Sequence, residues 1–343
     1  MNPYISDILS QPAALRKAAE NFSATALIPI KKRIQNGEFD SIVVTGMGAS
    51  YNAVYPALIQ LSGLPIPVLH VNTAELLHYL GALIGPRTML WINSQSGRSA
   101  EVLHLLQRIE STPPACILAS VNDETSPLAT AAEVCLPIHA GLEATVSTKT
   151  YVNTLAVNLL AAQQLADRDV EPLKRAIFAA ADEIEFYLVD WQARVDELDA
   201  MLGNFETLIL LGRGASMSAV WNGALTTKEA AKFSLEGMNA AEFRHGPLEL
   251  ATPGFCALIF AGSSTTSSLN RKLALDIVDH GGNAIWLDST ADPKLSTFTF
   301  PAVDSVRAIT EILPMQMLTL VMAKRKNVTA GQFQIIGKVT EVE

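Results

Sequence analysis

Phe39-Asp40-Ser41-Ile42-Val43-Val44-Thr45-Gly46-Met47-Gly48-Ala49-Ser50 reads as an apolar strand that runs into a glycine turn. The phrase returns as Phe205-Glu206-Thr207-Leu208-Ile209-Leu210-Leu211-Gly212-Arg213-Gly214-Ala215-Ser216, 166 residues later (205 − 39). Ala53-Val54 and Ala219-Val220 keep the register beyond the serines. A self-match at half the chain length marks a unit written twice. In both copies the strand is apolar throughout rather than alternating, as a parallel strand covered on both faces must be.

Further strands are expected at Val68–Val71, Thr88–Ile92 and Ala115–Ala119 in the first copy, with a helix over Ala100–Ile109. The second copy offers Cys256–Ala261 and Asn283–Leu287, with Ser268–His280 between them. Strand alternating with helix predicts an α/β fold, a parallel sheet flanked by helices. The predicted order is an N-terminal helical segment at 1–35 packing on the first α/β domain at 36–170, then a polar helical connector at 171–203. A second α/β domain at 204–328 and a tail at 329–343 complete it; Ala308–Lys326 reads as a last, mostly apolar helix.

The chain has 343 residues, 49% of them hydrophobic and 17% charged, enough to bury two cores. A formal charge of −9 without a basic cluster argues against a nucleic-acid partner. The three cysteines, Cys116, Cys135 and Cys256, have no metal-ligand spacing, so reduced, buried thiols are expected and no metal. Met1-Asn2-Pro3-Tyr4 opens no signal sequence, and no apolar stretch is read as long enough for a membrane span. A soluble cytoplasmic protein is expected, without nucleic-acid or membrane partners.

Ligands of open parallel sheets bind beyond the carboxyl ends of the strands, so the loops there come next. In Gly46-Met47-Gly48-Ala49-Ser50 the glycines, Gly48 included, let backbone approach an anion at a helix start. A dinucleotide fingerprint would need a third glycine, which is missing. Ser94-Gln95-Ser96-Gly97-Arg98-Ser99 gathers three hydroxyls, an amide and a glycine before the helix at Ala100, a composition suited to a phosphate cradle. The competing reading is a serine turn in which Ser99 caps the helix. A third hydroxyl-bearing loop, Glu143–Lys149, reads either as a further ligand loop or as a helix start capped by Ser147 or Thr148. Lys228-Glu229 lies on a predicted helix over Trp221–Phe233, and His245 stands before Gly246-Pro247, which stops a helix.

Ser94-Gln95-Ser96-Gly97, Ser147-Thr148-Lys149, Lys228-Glu229, His245-Gly246-Pro247 and Lys338 six places from the end resemble the SIS (sugar isomerase) phosphosugar isomerase family. The resemblance is strongest to the isomerase half of glucosamine-6-phosphate synthase and spans nearly the whole chain. It implies two tandem SIS domains of Rossmann-like, flavodoxin-like three-layer form. It implies that Ser50, Ser94, Gln95, Ser96 and Ser99 hold the phosphate and sugar hydroxyls, with Thr145 and Ser147 lining the same pocket. Glu229 would shuttle a proton between C1 and C2, and His245, from a neighbouring subunit, would help open the ring. Lys338 would lie near the sugar carbonyl. A homodimer with a shared site follows, needing no metal or redox cofactor. Two departures stand out. No glutaminase domain is expected ahead of Met1-Asn2, and Thr226 occupies the position where the synthase has a lysine three residues before the glutamate. The expected reaction is therefore conversion of glucosamine 6-phosphate to fructose 6-phosphate and ammonia. A non-deaminating isomerase, a fructosamine-phosphate deglycase and a sugar-phosphate sensor are the alternatives.

Overall fold

The computed structural model describes residues 1–335, 337, 338 and 340; of the tail expected at 329–343, positions 336, 339 and 341–343 lie outside the described residues. The chain divides into two compact units. The first comprises Ala13–Glu143, Ser147–Phe178 and the described part of Phe333–Glu343; the second comprises Met1–Pro12, Ala144–Val146 and Ala179–Gln332.

The first unit is built on five parallel strands: β1 (Ser41–Gly46), β2 (Val68–Asn72), β3 (Thr88–Asn93), β4 (Cys116–Val121) and β5 (Val134–Pro137). Their order in the sheet is β2-β1-β3-β4-β5. All of β3 is buried, and one face of the sheet packs Val43, Leu90, Ile92 and Ala119 against Val102 and Leu105 of the Ala100–Ile109 helix. Removing each such side chain from water stabilises the fold by about 1.5–3 kcal/mol. The chain runs outward from β1 in opposite directions to β2 and β3, so the crevice at their carboxyl ends is the topological switch point. Gly46, the last residue of β1, pairs there with Asn93, the last of β3. A Cβ on Gly46 would stand 2.9 Å from the Asn93 carbonyl oxygen, so only glycine admits this approach.

The second unit repeats the plan with β6 (Thr207–Gly212), β7 (Glu236–Asn239), β8 (Phe255–Phe260), β9 (Asn283–Asp288) and β10 (Ser296–Thr299), ordered β10-β9-β8-β6-β7. Read from β7, this is the order of the first sheet. Its core includes Ile209, Leu211, Phe243, Ala257, Ile259, Leu273, Ile277 and Trp286.

The short edge strands β5, β7 and β10 were not expected from sequence. β7 (Glu236-Gly237-Met238-Asn239) carries one apolar side chain in four, too few for a hydrophobic pattern. The connector is two helices, Glu171–Leu188 and Trp191–Leu202. The N-terminal segment is divided. Residues 1–12 belong to the second unit, where the side-chain amides of Gln11 and Gln316 donate to each other at 3.0 and 2.7 Å, both side chains buried. The tail divides as well, with residues up to Gln332 in the second unit.

The expectation of no membrane-length apolar stretch needs correction. Asp304–Arg325 is long and apolar enough by length and composition, with a mean hydropathy of 1.3 over an 18-residue stretch, yet 94% of that stretch is buried within the structure. Its helical part Ile312–Arg325 packs on the Met217–Ala231 helix, which makes it a core element of the second unit.

Candidate active site

Two loops leave the switch point of the first unit side by side. After β1, Gly48 takes a left-handed conformation (φ 51°) that starts the short Gly48–Ala53 helix, with Ser50 half-buried in it. After β3 comes Ser94–Ser99, held by bonds that leave its shape little freedom. Ser94 Oγ accepts from the Gly97 N–H at 3.1 Å, and Ser96 Oγ accepts from the Arg98 N–H at 3.2 Å. The Asn122 N–H donates to the Gln95 carbonyl at 3.0 Å. Gly97 is left-handed (φ 59°), and a Cβ there would collide with Ser126. Arg98 turns outward to Asp123, with Nε and Nη2 both 3.1 Å from Oδ2, so its charge is spent on the next loop.

Beneath the loops lies a buried polar chain. Trp91 Nε1 donates to Ser120 Oγ at 3.0 Å, Ser120 Oγ to Asn158 Oδ1 at 2.7 Å, and Asn158 Nδ2 to Asn93 Oδ1 at 2.7 Å. Each member has its partner, so the network fixes the ends of β3 and β4 without leaving an uncompensated group.

Ser99 occupies the N-cap of the Ala100–Ile109 helix but makes no side-chain cap bond. The first helical amide, Ala100 N–H, instead donates to the Thr340 carbonyl of the tail at 3.1 Å. The plain serine-turn reading therefore does not hold for Ser99.

The Glu143–Lys149 loop departs from expectation more sharply. Thr148 is the N-cap of the Lys149–Leu165 helix, but neither its hydroxyl nor that of Ser147 caps. The cap is the Glu143 carboxylate. Its Oε1 accepts from Thr148 N at 2.9 Å, Thr148 Oγ1 at 2.8 Å and Thr150 N at 3.0 Å; its Oε2 accepts from Thr150 Oγ1 at 2.6 Å. Lys338 Nζ completes the ring, 2.8 Å from Oε2 and 2.7 Å from the Glu143 carbonyl oxygen. The glutamate side chain is fully buried and the lysine 26% exposed. Ser147 Oγ lies 2.7 Å from Thr150 Oγ1. Because the threonine proton goes to the carboxylate, Ser147 must donate to Thr150, which leaves its own oxygen free only to accept. Sequence reading missed Glu143. Its signal was an acid shortly before an otherwise uncapped helix, but its partner lies 195 residues away.

The first unit thus gathers Gly48, Ser50, Ser94, Gln95, Ser96, Ser99, Ser147 and Lys338; Thr145, Glu229 and His245 belong to the second unit. Thr145 is buried. Glu229 is half-buried in the last turns of the Met217–Ala231 helix, and the Gly331 N–H donates to its neighbour's carbonyl, Ala230 O, at 3.1 Å. Thr226, where the synthase pattern has lysine, is buried and turns its hydroxyl onto its own helix, 2.9 Å from Asn222 O. His245 is exposed after the Ala240–Phe243 turn of helix, its N–H bonded to Glu242 O at 2.9 Å.

The equivalent crevice of the second sheet is closed by its own side chains. Ser216, the counterpart of Ser50, donates to buried Glu311 at 2.8 Å, and Arg307 bridges Glu311 and Asp288. Burial holds the Glu311 carboxyl above the usual carboxylate range, with Arg307 and Ser216 acting in the opposite direction. Among the described residues no cluster of His, Cys, Asp and Glu could hold a metal ion.

Hydroxyls and backbone amides thus gather at the switch point of the first unit, which also holds the tail lysine. The SIS domain family matches residues 38–163 and 201–324, and the chain belongs to that family. Among curated relatives it is 29% identical to glutamine–fructose-6-phosphate aminotransferase (isomerizing) of Pyrococcus horikoshii, across 89% of this chain and 52% of that protein. It is 27% identical to the same-named protein of Thermococcus kodakarensis, across 99% of this chain and 58% of that one. The chain spans about half the length of these relatives.

Among solved structures, the C-terminal domain of the Francisella tularensis aminotransferase superposes with a TM-score of 0.80 at 19% identity, covering 97% of this chain and 98% of that one. Tagatose-6-phosphate ketose/aldose isomerase from Escherichia coli gives 0.80 at 17% (97% and 96% covered). Glucosamine-6-phosphate deaminase from Thermotoga maritima gives 0.76 at 18% (99% and 100% covered). The structural likenesses speak for the fold.

Proposed function

We propose that this phosphosugar isomerase of the SIS family deaminates an amino sugar phosphate, converting glucosamine 6-phosphate and water to fructose 6-phosphate and ammonia. The observation that carries the proposal is the pairing of the Ser94–Ser99 cradle with an ammonium held by Glu143 in the same unit. The cradle suits the 6-phosphate, and the ammonium suits an oxygen that gains charge at C1. Ser50, Gln95 and Ser99 hold phosphate and sugar hydroxyls; Thr145 and Ser147 line the sugar.

In this reading His245, from a partner subunit of a homodimer, moves the proton that opens the ring. Glu229 takes the proton from C2 of the open-chain amino aldehyde, giving an enolamine, and its carboxyl, exchanging that proton with solvent, protonates C1. The C2 imine then adds water and expels ammonia, leaving the ketose. Lys338 steadies the C1 oxygen while it carries negative charge. Thr226 removes one amine from the helix face that the synthase pattern uses, which favours a relative that does not load nitrogen onto a ketose. Likeness to the Thermotoga deaminase agrees with this. Three unpaired thiols fit a reducing cytoplasm.

A non-deaminating ketose/aldose isomerase is the second reading, supported by the likeness to the Escherichia coli enzyme of that name. Incubation with glucosamine 6-phosphate, following ammonia and fructose 6-phosphate together, tests the proposal. Equal release of both, abolished in Glu229→Gln, is expected. Turnover of another sugar phosphate without ammonia would replace the first reading with the second.

A further inference from the structure

A lysine near a sugar carbonyl has two uses: a fixed ammonium beside a developing oxyanion, or an amine that forms an imine with the carbonyl. The structure distinguishes them by what surrounds Nζ. Two of the three N–H bonds an ammonium offers go to one residue, the Glu143 carbonyl at 2.7 Å and its Oε2 at 2.8 Å. That carboxylate is itself immobile, because Thr148 and Thr150 hold it through two amides and two hydroxyls. Two residues further on, the Thr340 carbonyl accepts from Ala100 N–H, at the end of the cradle. The tail is therefore fastened at both positions within the first unit.

We infer that Glu143 is the positioning residue for Lys338: it fixes the tail ammonium beside the phosphate cradle, so that the lysine acts as a charge donor to a substrate oxygen and not as an imine-forming nucleophile. The inference rests on the reading given under Proposed function and assigns a role to a residue outside that reading's reacting groups. An imine nitrogen carries at most one N–H, so Nζ would have to give up at least one of its two bonds to Glu143, whose carboxylate is buried.

The substitution that isolates this role is Glu143→Gln. The amide oxygen, placed as Oε1, still accepts from Thr148 and Thr150, so the helix cap survives. The amide nitrogen, placed as Oε2, faces Lys338 with donors; the Thr150 hydroxyl can reverse its role and accept, but an ammonium cannot. Lys338→Met removes the amine and leaves the cap intact.

The test is a double-mutant cycle on turnover of glucosamine 6-phosphate, with thermal melts run in parallel. Either single substitution is expected to lower kcat about 10²-fold, as loss of one oxyanion donor does, with KM changing far less. The double variant is expected to be no slower than Lys338→Met alone. Multiplying effects, or a wild-type kcat in Glu143→Gln, would overturn the inference. Borohydride added during turnover is expected to trap no sugar adduct on Lys338, and an adduct there would overturn it as well.

If the wild-type protein turned over no sugar phosphate, the reading under Proposed function would fail separately. The pairing is then measured by acetic anhydride labelling of Lys338. Labelling slower in the wild type than in Glu143→Gln supports it, and equal labelling contradicts it.

Discussion

Lys338 Nζ lies 2.8 Å from Glu143 Oε2, joining residues 195 positions apart, and the carboxylate that holds it also caps the Lys149–Leu165 helix. One buried acid thus sets both the start of a helix and the place of a tail cation. A surface ion pair of this length would contribute little. This one has a fully buried carboxylate and four further donors, so its geometry is fixed by the fold.

The cradle predicts a separation of binding from stability at Ser99. Its hydroxyl makes no helix-cap bond, so Ser99→Ala should leave the melting temperature unchanged, unlike an ordinary N-cap loss of about 1 kcal/mol. A hydrogen bond to a charged phosphate is worth about 1.5–3 kcal/mol, so KM for the sugar phosphate should rise about tenfold or more. Melting curves and steady-state kinetics on the same preparation check both halves.

Glu229→Gln should reduce kcat about 10²–10⁴-fold with KM nearly unchanged, the range for loss of a general acid–base group. The side chain is half-buried near the helix end, so the fold should not suffer. Circular dichroism beside the kinetics separates lost chemistry from lost structure.

His70 gives the first unit a pH dependence. It stacks on Tyr51, with ring centroids 3.7 Å apart, and burial lowers its pKa from 6.5 to about 4, with the Tyr51 carbonyl opposing. Between those values the unfolded chain binds the proton more readily. The stabilisation is therefore complete above about pH 6.5 and is lost as pH falls through 4, amounting to on the order of 3 kcal/mol. Denaturant melts from pH 4 to 7 should show this slope in the wild type and a flatter one in His70→Phe.

Arg307→Met should destabilise the second unit. Arg307 bonds Asp288 at 2.6 Å and Glu311 at 3.2 Å, and Glu311 is 1% exposed. Removing one partner of a buried pair costs about 3–5 kcal/mol. A lower denaturation midpoint with little change in KM is expected, since this cluster fills the second crevice rather than serving the first.

The repeat made the sheets legible: β1, β3, β6 and β8 each centre on a run of apolar residues without alternation, and a strand buried on both faces has to look like that. The Ser94–Ser99 loop was legible because three hydroxyls exceed what a turn needs. Edge strand β7 was not, since Glu236 and Asn239 carry no alternation that periodicity could detect. Glu143 was hidden for another reason: its role comes from a partner brought to it by tertiary folding. The Gln11–Gln316 pair, 305 residues apart, drew residues 1–12 into the second unit in the same way.

The most direct test of the central claim follows the proton. Glucosamine 6-phosphate is incubated with the protein in D2O, and the products are read by proton NMR. Deuterium at C1 of fructose 6-phosphate, absent in Glu229→Gln, is the predicted result. Binding of the sugar phosphate without any exchange at C1 or C2 would contradict the account and leave a sugar-phosphate sensor in its place.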